Sequence, residues 1–182
     1  MTAMKHEGLR LDDAVAILQR TPASLRALLD GLPDTWIRAT EGDDSWSPYD
    51  VIGHLIHGER TDWIPRAHHI FVGETRAFEP FDRMAQFTTS QGTSMGELLA
   101  TFADLRRANV STLLAMNLTD DDLARKGLHP ELGTVSLGEL VATWVVHDLD
   151  HVAQIVRTMA KVYTKSTGPW IAYLSILRDR QR

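Results

Sequence analysis

The apolar residues of this chain repeat at helical spacing in several stretches separated by turn-forming residues. In the first stretch they recur mostly at spacings of three, four and seven, at Leu11, Val15, Leu18, Leu25, Leu28 and Leu29. Thr21-Pro22 interrupts this stretch, so it predicts either one kinked helix or two helices that meet there. Gly31 and Pro33 end it, and we expect a loop over residues 34–46.

A serine–proline pair is a strong start signal for the second helix. Ser47 can cap free backbone amides, and Pro48 suits the first helical position. The apolar stripe that follows predicts a helix to about Phe71, with a bend at Pro65. Its members are Ile52, Ile56, Trp63 and Ile70. Residues 72–92 are rich in glycine, proline and polar side chains, and we interpret them as a long loop.

Two further helices begin at capping boxes, in which a serine and a glutamate three residues later satisfy each other's backbone amides. The first box, Ser94-x-x-Glu97, opens a helix that ends near residue 116. The second, Ser136-x-x-Glu139, opens a helix that ends near residue 163. Because both boxes precede apolar runs of helical period, they fix where these helices start more firmly than where they end.

The remaining segments predict minor elements. A short helical turn should follow Thr119, a loop should span residues 129–133, and residues 167–178 should form a short terminal helix. No segment alternates apolar and polar residues in the way that predicts a strand. The pattern therefore predicts an all-α fold, a four-helix bundle with a short additional C-terminal helix. The length of 182 residues, without a repeat or linker, predicts one domain over residues 1–182.

Composition and charge narrow the range of functions. Hydrophobic residues make up 43% and charged residues 24%, which excludes a disordered chain. The net charge is −5 and the basic residues are scattered, so we expect no nucleic-acid partner and no membrane partner. The polar start of the chain lacks the apolar core of a signal peptide, and no window approaches the ~18 apolar residues of a membrane helix. We expect a cytoplasmic protein.

The chain has no cysteine, which removes disulfides, thiolate ligands, iron–sulfur clusters and cysteine nucleophiles. Metal binding would therefore fall to histidines. His147 and His151 lie four residues apart on the predicted fourth helix, close enough to bind one ion, and Gln154 falls within ~20° of His147 on the same side. A zinc-peptidase motif would have glutamate after the first histidine, where this chain has Asp148. A solvated helix face without a ligand is the alternative.

A third ligand has to come from another part of the chain. His54 and His57 of the second helix are the candidates, and His57 is the weaker one because it lies ~60° around the helix towards the polar side. Asp50 shares the face of His54 and is a supporting candidate, and Gly58 leaves room for a ligand one turn on. We assign the remaining histidines to surface or loop positions without a role: His6, His68, His69 and His129.

At these residues the chain resembles the DinB family, also called DinB/YfiT-like metalloenzymes. Trp46-Ser47-Pro48, followed by Val51-Ile-Gly-His54-Leu, is similar to the family's entry into its second helix. Thr143-Trp-Val-Val-His147-Asp-Leu-Asp-His151-Val-Ala-Gln154 is similar to its His-x-x-x-His-x-x-Gln signature. The order and wide separation of the two motifs also resemble the family, and the match covers most of the chain.

The resemblance implies a four-helix bundle that holds one divalent ion through three histidines. Carried over to this sequence, the ligands are His54, His147 and His151, with Gln154 in a supporting role. Members of the family are known with zinc, nickel or manganese, so the resemblance does not fix the metal. The family includes transferases that use low-molecular-weight thiols, such as mycothiol-dependent maleylpyruvate isomerase, and many members without a known activity.

Three functions are compatible with such a site. Three imidazoles leave coordination positions open, which favours an active over a structural metal. The favoured function is a metal-dependent enzyme that activates a low-molecular-weight thiol for transfer to an electrophilic small molecule, as the resemblance to thiol-dependent transferases implies. The alternatives are a metal-dependent hydrolase that uses a metal-bound water and a non-catalytic metal or small-molecule binding module of a stress response. The carboxylates available as a base for hydrolysis are Asp50, Glu59, Asp62 and Asp148.

Two further questions stay open in the sequence. Aromatic residues of a bundle more often pack in the core than line a pocket, and the candidates for either are Trp46, Trp63, Phe78, Phe81 and Trp144. Pairing into a homodimer is compatible with a bundle of this kind, but no surface is singled out for it.

Overall fold

The computed structural model describes residues 8–42 and 44–178. The α-helices in this part of the chain are α1 (Leu11–Leu18), α2 (Thr21–Leu29), α3 (Asp34–Ile37), α4 (Pro48–Thr61), α5 (Trp63–Val72), α6 (Gln86–Thr89), α7 (Met95–Ala115), α8 (Asp120–Ala124) and α9 (Leu137–Lys161). The strands β1 (Lys126–His129) and β2 (Gly133–Ser136) form an antiparallel hairpin between α8 and α9. Two 3₁₀ helices, Thr164–Tyr173 and Ser175–Leu177, follow α9.

Four long helical segments form the predicted four-helix bundle. They are α1 with α2, α4 with α5, α7 alone and α9 alone. The helix α7 packs against α2 and α4, and α9 packs against α1, α4 and α5. Among the described residues, none of the helices combines the length and the apolar composition of a membrane span.

Two of the predicted helices are broken rather than continuous. The first is a pair of helices that meet at Arg20, which is one of the two arrangements predicted for Thr21-Pro22. The second breaks at Asp62 (φ −112°, ψ −69°), so the predicted bend at Pro65 is wrong. Because the break restarts the helix, Pro65 falls in the first turn of α5, where a backbone N–H would have no helical partner.

Capping boxes start the helices of the bundle where the sequence predicts them. Oε2 of Glu97 accepts a hydrogen bond from the backbone of Ser94 at 2.8 Å, and Oε2 of Glu139 accepts one from the backbone of Ser136 at 2.6 Å. A further box starts α4, where Asp50 takes the place of the glutamate. These contacts set the first residue of α4, α7 and α9, and therefore the phase of every side chain that follows.

The β-hairpin is absent from the sequence prediction because its strands have only four residues each, too few to show alternation. It is held by contacts distant in sequence. The backbone N–H of Phe78 donates to the carbonyl of Leu128 at 2.9 Å, and a Cβ on Gly127 would lie 2.7 Å from Ile70. The predicted loop over residues 72–92 is thus hydrogen-bonded to the hairpin at Phe78, and it also contains the short helix α6.

The predicted terminal helix over residues 167–178 is wrong in start and type. The segment begins at Thr164 and forms 3₁₀ turns that are interrupted at Gly168. Gly168 has φ 51°, a left-handed conformation that glycine adopts without steric cost, and Pro169 follows it. An α-helix cannot continue through this pair.

A layer of buried charge crosses the middle of the bundle. It consists of Arg106 of α7, Glu59 of α4 and Asp148 of α9, which are 1%, 2% and 0% exposed. Nη2 of Arg106 donates to Oε1 of Glu59 at 2.7 Å and to Oδ1 of Asp148 at 2.8 Å. Nη1 also donates to the carbonyl of Leu18 at the end of α1, at 2.9 Å. This charge layer therefore joins all four segments of the bundle.

Two apolar clusters lie on either side of the charge layer. Along α7, Phe102 belongs to one cluster and Val110 to the other, with Arg106 between them. Trp144 of α9 lies in the same cluster as Val110, and its Nε1 donates to Oε1 of Glu59 at 3.1 Å. This aromatic residue is therefore core, and its polar atom completes the hydrogen bonds of the charge layer.

We expect Arg106→Met to lower the free energy of unfolding by about 3–5 kcal/mol, because it leaves two buried carboxylates without a cation. The matched control is Arg107→Met, at the next residue, whose side chain is 75% exposed and pairs with Asp104. It should change stability by less than about 0.5 kcal/mol. Urea denaturation followed by circular dichroism measures both. A loss below about 1 kcal/mol for Arg106→Met would show that the charge layer is not a structural requirement.

Candidate metal centre

Three histidine side chains from two helices converge on one point. His54 lies in α4, and His147 and His151 lie one turn apart in α9. Nε2 of His147 is 3.2 Å from Nε2 of His54 and 3.1 Å from Nε2 of His151. Within residues 8–42 and 44–178, this histidine cluster is the one group that brings three potential metal ligands within 4.8 Å of one another, and no carboxylate joins it.

Gln154 determines which nitrogen of His151 carries the proton. Oε1 of Gln154 lies 2.8 Å from Nδ1 of His151. Because an amide oxygen only accepts hydrogen bonds, Nδ1 is the protonated nitrogen and Nε2 presents a lone pair to the other two histidines. A partner of this kind behind a histidine is the usual means of orienting a metal ligand.

The three rings cannot satisfy one another's hydrogen-bonding atoms. Nε2 of His147 faces two ring nitrogens but has a single in-plane hydrogen or lone pair to offer. Nδ1 of His54 and Nδ1 of His147 are buried without a partner. A cation that accepts all three Nε2 lone pairs removes the conflict between these atoms.

Two of the three separations between the ring nitrogens also fit a common ion. Nitrogens bound ~2.0–2.1 Å from one zinc ion lie about 2.9 Å apart at a right angle and about 3.3 Å apart at the tetrahedral angle. The observed separations of 3.1 and 3.2 Å lie between these values. Geometry and unpaired lone pairs therefore agree on a divalent metal site.

Burial keeps the rings in the neutral form that binds metals. It lowers the pKa of His54 to about 3 and that of His147 to about 3, with a further contribution from the neighbouring His151 in each case. Burial also lowers the pKa of His151, and the hydrogen bond to Gln154 opposes part of that shift. All three imidazoles are therefore neutral at pH 7, as metal ligation requires.

The histidine cluster opens onto a cavity of about 440 Å³, large enough for a small organic molecule. The ring of Trp46 lies 4.8 Å from that of His54, and the ring of Trp63 lies 5.1 Å from that of His147. The aromatic residues that line the cavity are Trp46, Trp63, Phe78 and Phe81, four of the five candidates from the sequence. Aromatic side chains therefore form the walls of the cavity next to the cluster.

Glu41 anchors the loop that carries Trp46. Its carboxylate accepts hydrogen bonds from Nε of Arg157 at 2.9 and 3.0 Å, and Nζ of Lys161 lies 3.3 Å away. Burial alone would raise the pKa of Glu41, but the hydrogen bonds from these two cations lower it, so the carboxylate is charged at neutral pH. The end of α9 thus holds the loop in place over the histidines.

A family model described as the DinB superfamily matches residues 17–155, a span that includes the whole histidine cluster and Gln154. The chain belongs to the DinB superfamily. This assignment agrees with the bundle and with the place of the two histidine-bearing motifs on α4 and α9.

Two comparisons show that this DinB-superfamily chain is similar to YfiT, one in sequence and one in structure. A protein of Bacillus subtilis (strain 168) named "Putative metal-dependent hydrolase YfiT" is 25% identical over 149 residues, which are 80% of this chain and 82% of the relative. A solved structure of YfiT from Bacillus subtilis, described as a probable metal-dependent hydrolase with an unusual four-helix bundle topology, has a TM-score of 0.74 at 22% identity. That alignment covers 87% of this chain and 92% of YfiT, and it establishes the shared fold.

In this DinB-superfamily chain, three of the four carboxylates considered as a base are engaged in contacts that stabilise the fold. Glu59 and Asp148 belong to the charge layer, and Oδ2 of Asp50 accepts from the backbone of Ser47 at 3.0 Å. The contribution of Asp50 is therefore to fix the start of the helix that carries His54. Only Asp62 of the four lines the cavity, and it pairs with Arg66 at 2.7 Å.

The other histidines differ in part from expectation. His57 lies outside the cluster, beside Phe81. The surface assignment of His69 is wrong: it is buried, and its Nε2 donates to the carbonyl of Arg76 at 2.8 Å, because the restarted helix α5 turns this residue inwards. His129 is a cavity residue, whose Nδ1 accepts two backbone hydrogen bonds within the hairpin turn. His68 is exposed as expected, and His6 lies outside the described residues.

Sequence reasoning missed two arginines near the site. Arg106 does leave a signal, because it occupies a position in the apolar stripe of α7 between Phe102 and Val110. Arg83 lines the cavity from a segment without periodicity, and nothing local in the sequence marks it.

We expect the metal-free protein to lose stability as pH falls from about 6.5 towards about 3, partly through His54 and His147. In this window the unfolded chain binds protons on both rings and the folded protein does not, so acid favours unfolding. Urea denaturation of chelator-treated protein at about pH 7 and about pH 4.5 should show a loss roughly 2 kcal/mol larger for wild type than for His147→Gln. Equal losses in the two proteins would contradict the assignment.

Proposed function

We propose that this chain is a divalent-metal-dependent enzyme that acts on a small organic molecule, and that its reaction is hydrolysis. The convergence of three neutral Nε2 atoms at the wall of a cavity carries the proposal. His54, His147 and His151 would hold the ion, and Gln154 would orient His151. A set of imidazole ligands suits zinc or nickel better than manganese, which prefers carboxylates.

A divalent ion in this donor set would supply Lewis-acid activation and lower the pKa of water to roughly 7. The protein's part is to keep the three ligands neutral, so that the ion retains its full double charge. Trp46 and Trp63 restrict the access of bulk water at the rings of His54 and His147. A structural zinc site would have four protein ligands, and a bundle that is already joined by the charge layer does not need one.

The nature of the attacking group separates hydrolysis from the second candidate. The name of the Bacillus subtilis relative favours hydrolysis. Transfer of a low-molecular-weight thiol to an electrophile is favoured by one observation, that no carboxylate in the described part of the chain joins the histidine cluster. Without a carboxylate in the cluster, a thiol is deprotonated more readily than water away from the metal, because its pKa is about 8.5 against about 15.7 for bulk water. Because the chain lacks cysteine, that thiol would come from a cofactor.

The first test is metal content by mass spectrometry on protein prepared without a histidine tag. We expect about one first-row metal ion per chain in wild type and its loss in His147→Ala, since one of three ligands is removed. His57→Ala, which removes a histidine outside the cluster, should retain the ion. Circular dichroism checks that both variants fold. Negligible metal in wild type, persisting after reconstitution with zinc, nickel and manganese, would overturn the proposal.

The second test is turnover of the metal-loaded protein on ester and amide substrates and on electrophiles, with and without added thiol. Hydrolysis should proceed equally in both conditions and disappear in His147→Ala. A rate that requires thiol, with a thioether or thioester as product, would replace hydrolysis by thiol transfer. Metal binding without turnover on either panel would identify a binding module.

A further inference from the structure

Arg83 faces the cavity of the histidine cluster without a partner for its charge. It lines the cavity together with all three histidines. Among the described residues, 8–42 and 44–178, no carboxylate or hydrogen-bond acceptor engages its guanidinium.

The other charged groups of the cavity are matched or lie at its exposed rim. Arg66 is paired with Asp62 at 2.7 Å, and the carboxylate of Glu139 caps α9. Glu131 and Asp150 are exposed, as is Arg83. Among the described residues that line the cavity, Arg83 is therefore the one arginine or lysine without a partner for its charge, and a divalent ion in the cluster would add a further positive charge.

A neutral donor lies in the same cavity. Nε1 of Trp63 has no hydrogen-bond partner among the described residues, and a Cβ on Gly58 would lie 3.2 Å from it. The missing side chain of Gly58 thus leaves space in front of an N–H that otherwise has nothing to bind. An N–H donor and a guanidinium together are suited to the oxygens of an anion.

We propose that the substrate of this site is a small anionic molecule, and that Arg83 binds its carboxylate or phosphate group while Nε1 of Trp63 donates a hydrogen bond to it. The guanidinium presents donors in a fork that matches the oxygens of either group, so Arg83 is a specificity residue. This inference rests on the proposed function in taking the cavity as the substrate site.

Isothermal titration calorimetry with three probes of similar shape tests the inference: benzoate, phenyl phosphate and the neutral benzamide. Wild type, Arg83→Gln and Arg60→Gln are compared, both after chelator treatment and after zinc loading. Arg60 is an exposed arginine that does not line the cavity, so its variant is a control for the change in net charge. Circular dichroism confirms the fold of each protein.

We expect wild type to bind at least one of the two anions with and without zinc, and to bind benzamide at least about tenfold more weakly. Arg83→Gln should weaken anion binding about tenfold or more, and Arg60→Gln less than about twofold. The anion that binds more tightly distinguishes a carboxylate from a phosphate substrate. Equal anion affinity of Arg83→Gln and wild type, or benzamide binding as tight as benzoate binding, would overturn the inference.

The two proposals fail separately. Anion binding that depends on Arg83 in a protein that takes up no metal would overturn the metal-dependent enzyme and leave the anion site. Normal metal content with no anion binding by the chelator-treated wild type at millimolar concentrations would overturn the role of Arg83 alone.

Discussion

The guanidinium of Arg106 is buried between Glu59 of α4 and Asp148 of α9, and this buried charge constrains the rest of the bundle. A charge removed from water is stable only while its partners remain within hydrogen-bonding distance. If α4 or α9 slid by one turn, a buried carboxylate would lose its cation. Asp148 follows His147 directly and Glu59 lies five residues after His54, so the same requirement sets the distance between the two helices' histidines.

Charge is distributed differently on the two sides of α9. In the charge layer, burial raises the pKa of Glu59 and Arg106 opposes that shift, so carboxylate and guanidinium stabilise each other. In the histidine cluster, burial acts on rings that have no such partner and keeps them neutral. The helix α9 thus carries Asp148, whose charge is paired with Arg106, and next to it His147 and His151, whose Nε2 lone pairs face other ring nitrogens instead of a cation. That contrast separates a structural polar group from a site that can bind a cation.

Sequence reasoning succeeded where the controlling interactions are local. The capping boxes at Ser94 and Ser136 act within one turn, so spacing alone reveals them. The hairpin depends on contacts between distant segments, such as the Phe78 backbone with Leu128, and the buried position of His69 depends on the break of the helix at Asp62. Apolar periodicity reveals neither. The terminal segment departs from the predicted helix for a local reason, because Gly168 and Pro169 interrupt it.

The sequence by itself determined the bundle, the family resemblance and the pair His147 and His151 with Gln154, since helix geometry fixes side chains within one or two turns. The sequence favoured His54 over His57 as the third member, and the tertiary structure shows that His54 meets this pair. The two ring nitrogens belong to residues 93 positions apart, and their approach depends on how α4 packs on α9. Packing between elements likewise places Arg83 in the lining of the cavity. It also buries Glu59 and Asp148 against Arg106, away from the cavity, so that neither can act as a base there. Packing between elements, unlike helix period, leaves no regular pattern in the order of residues.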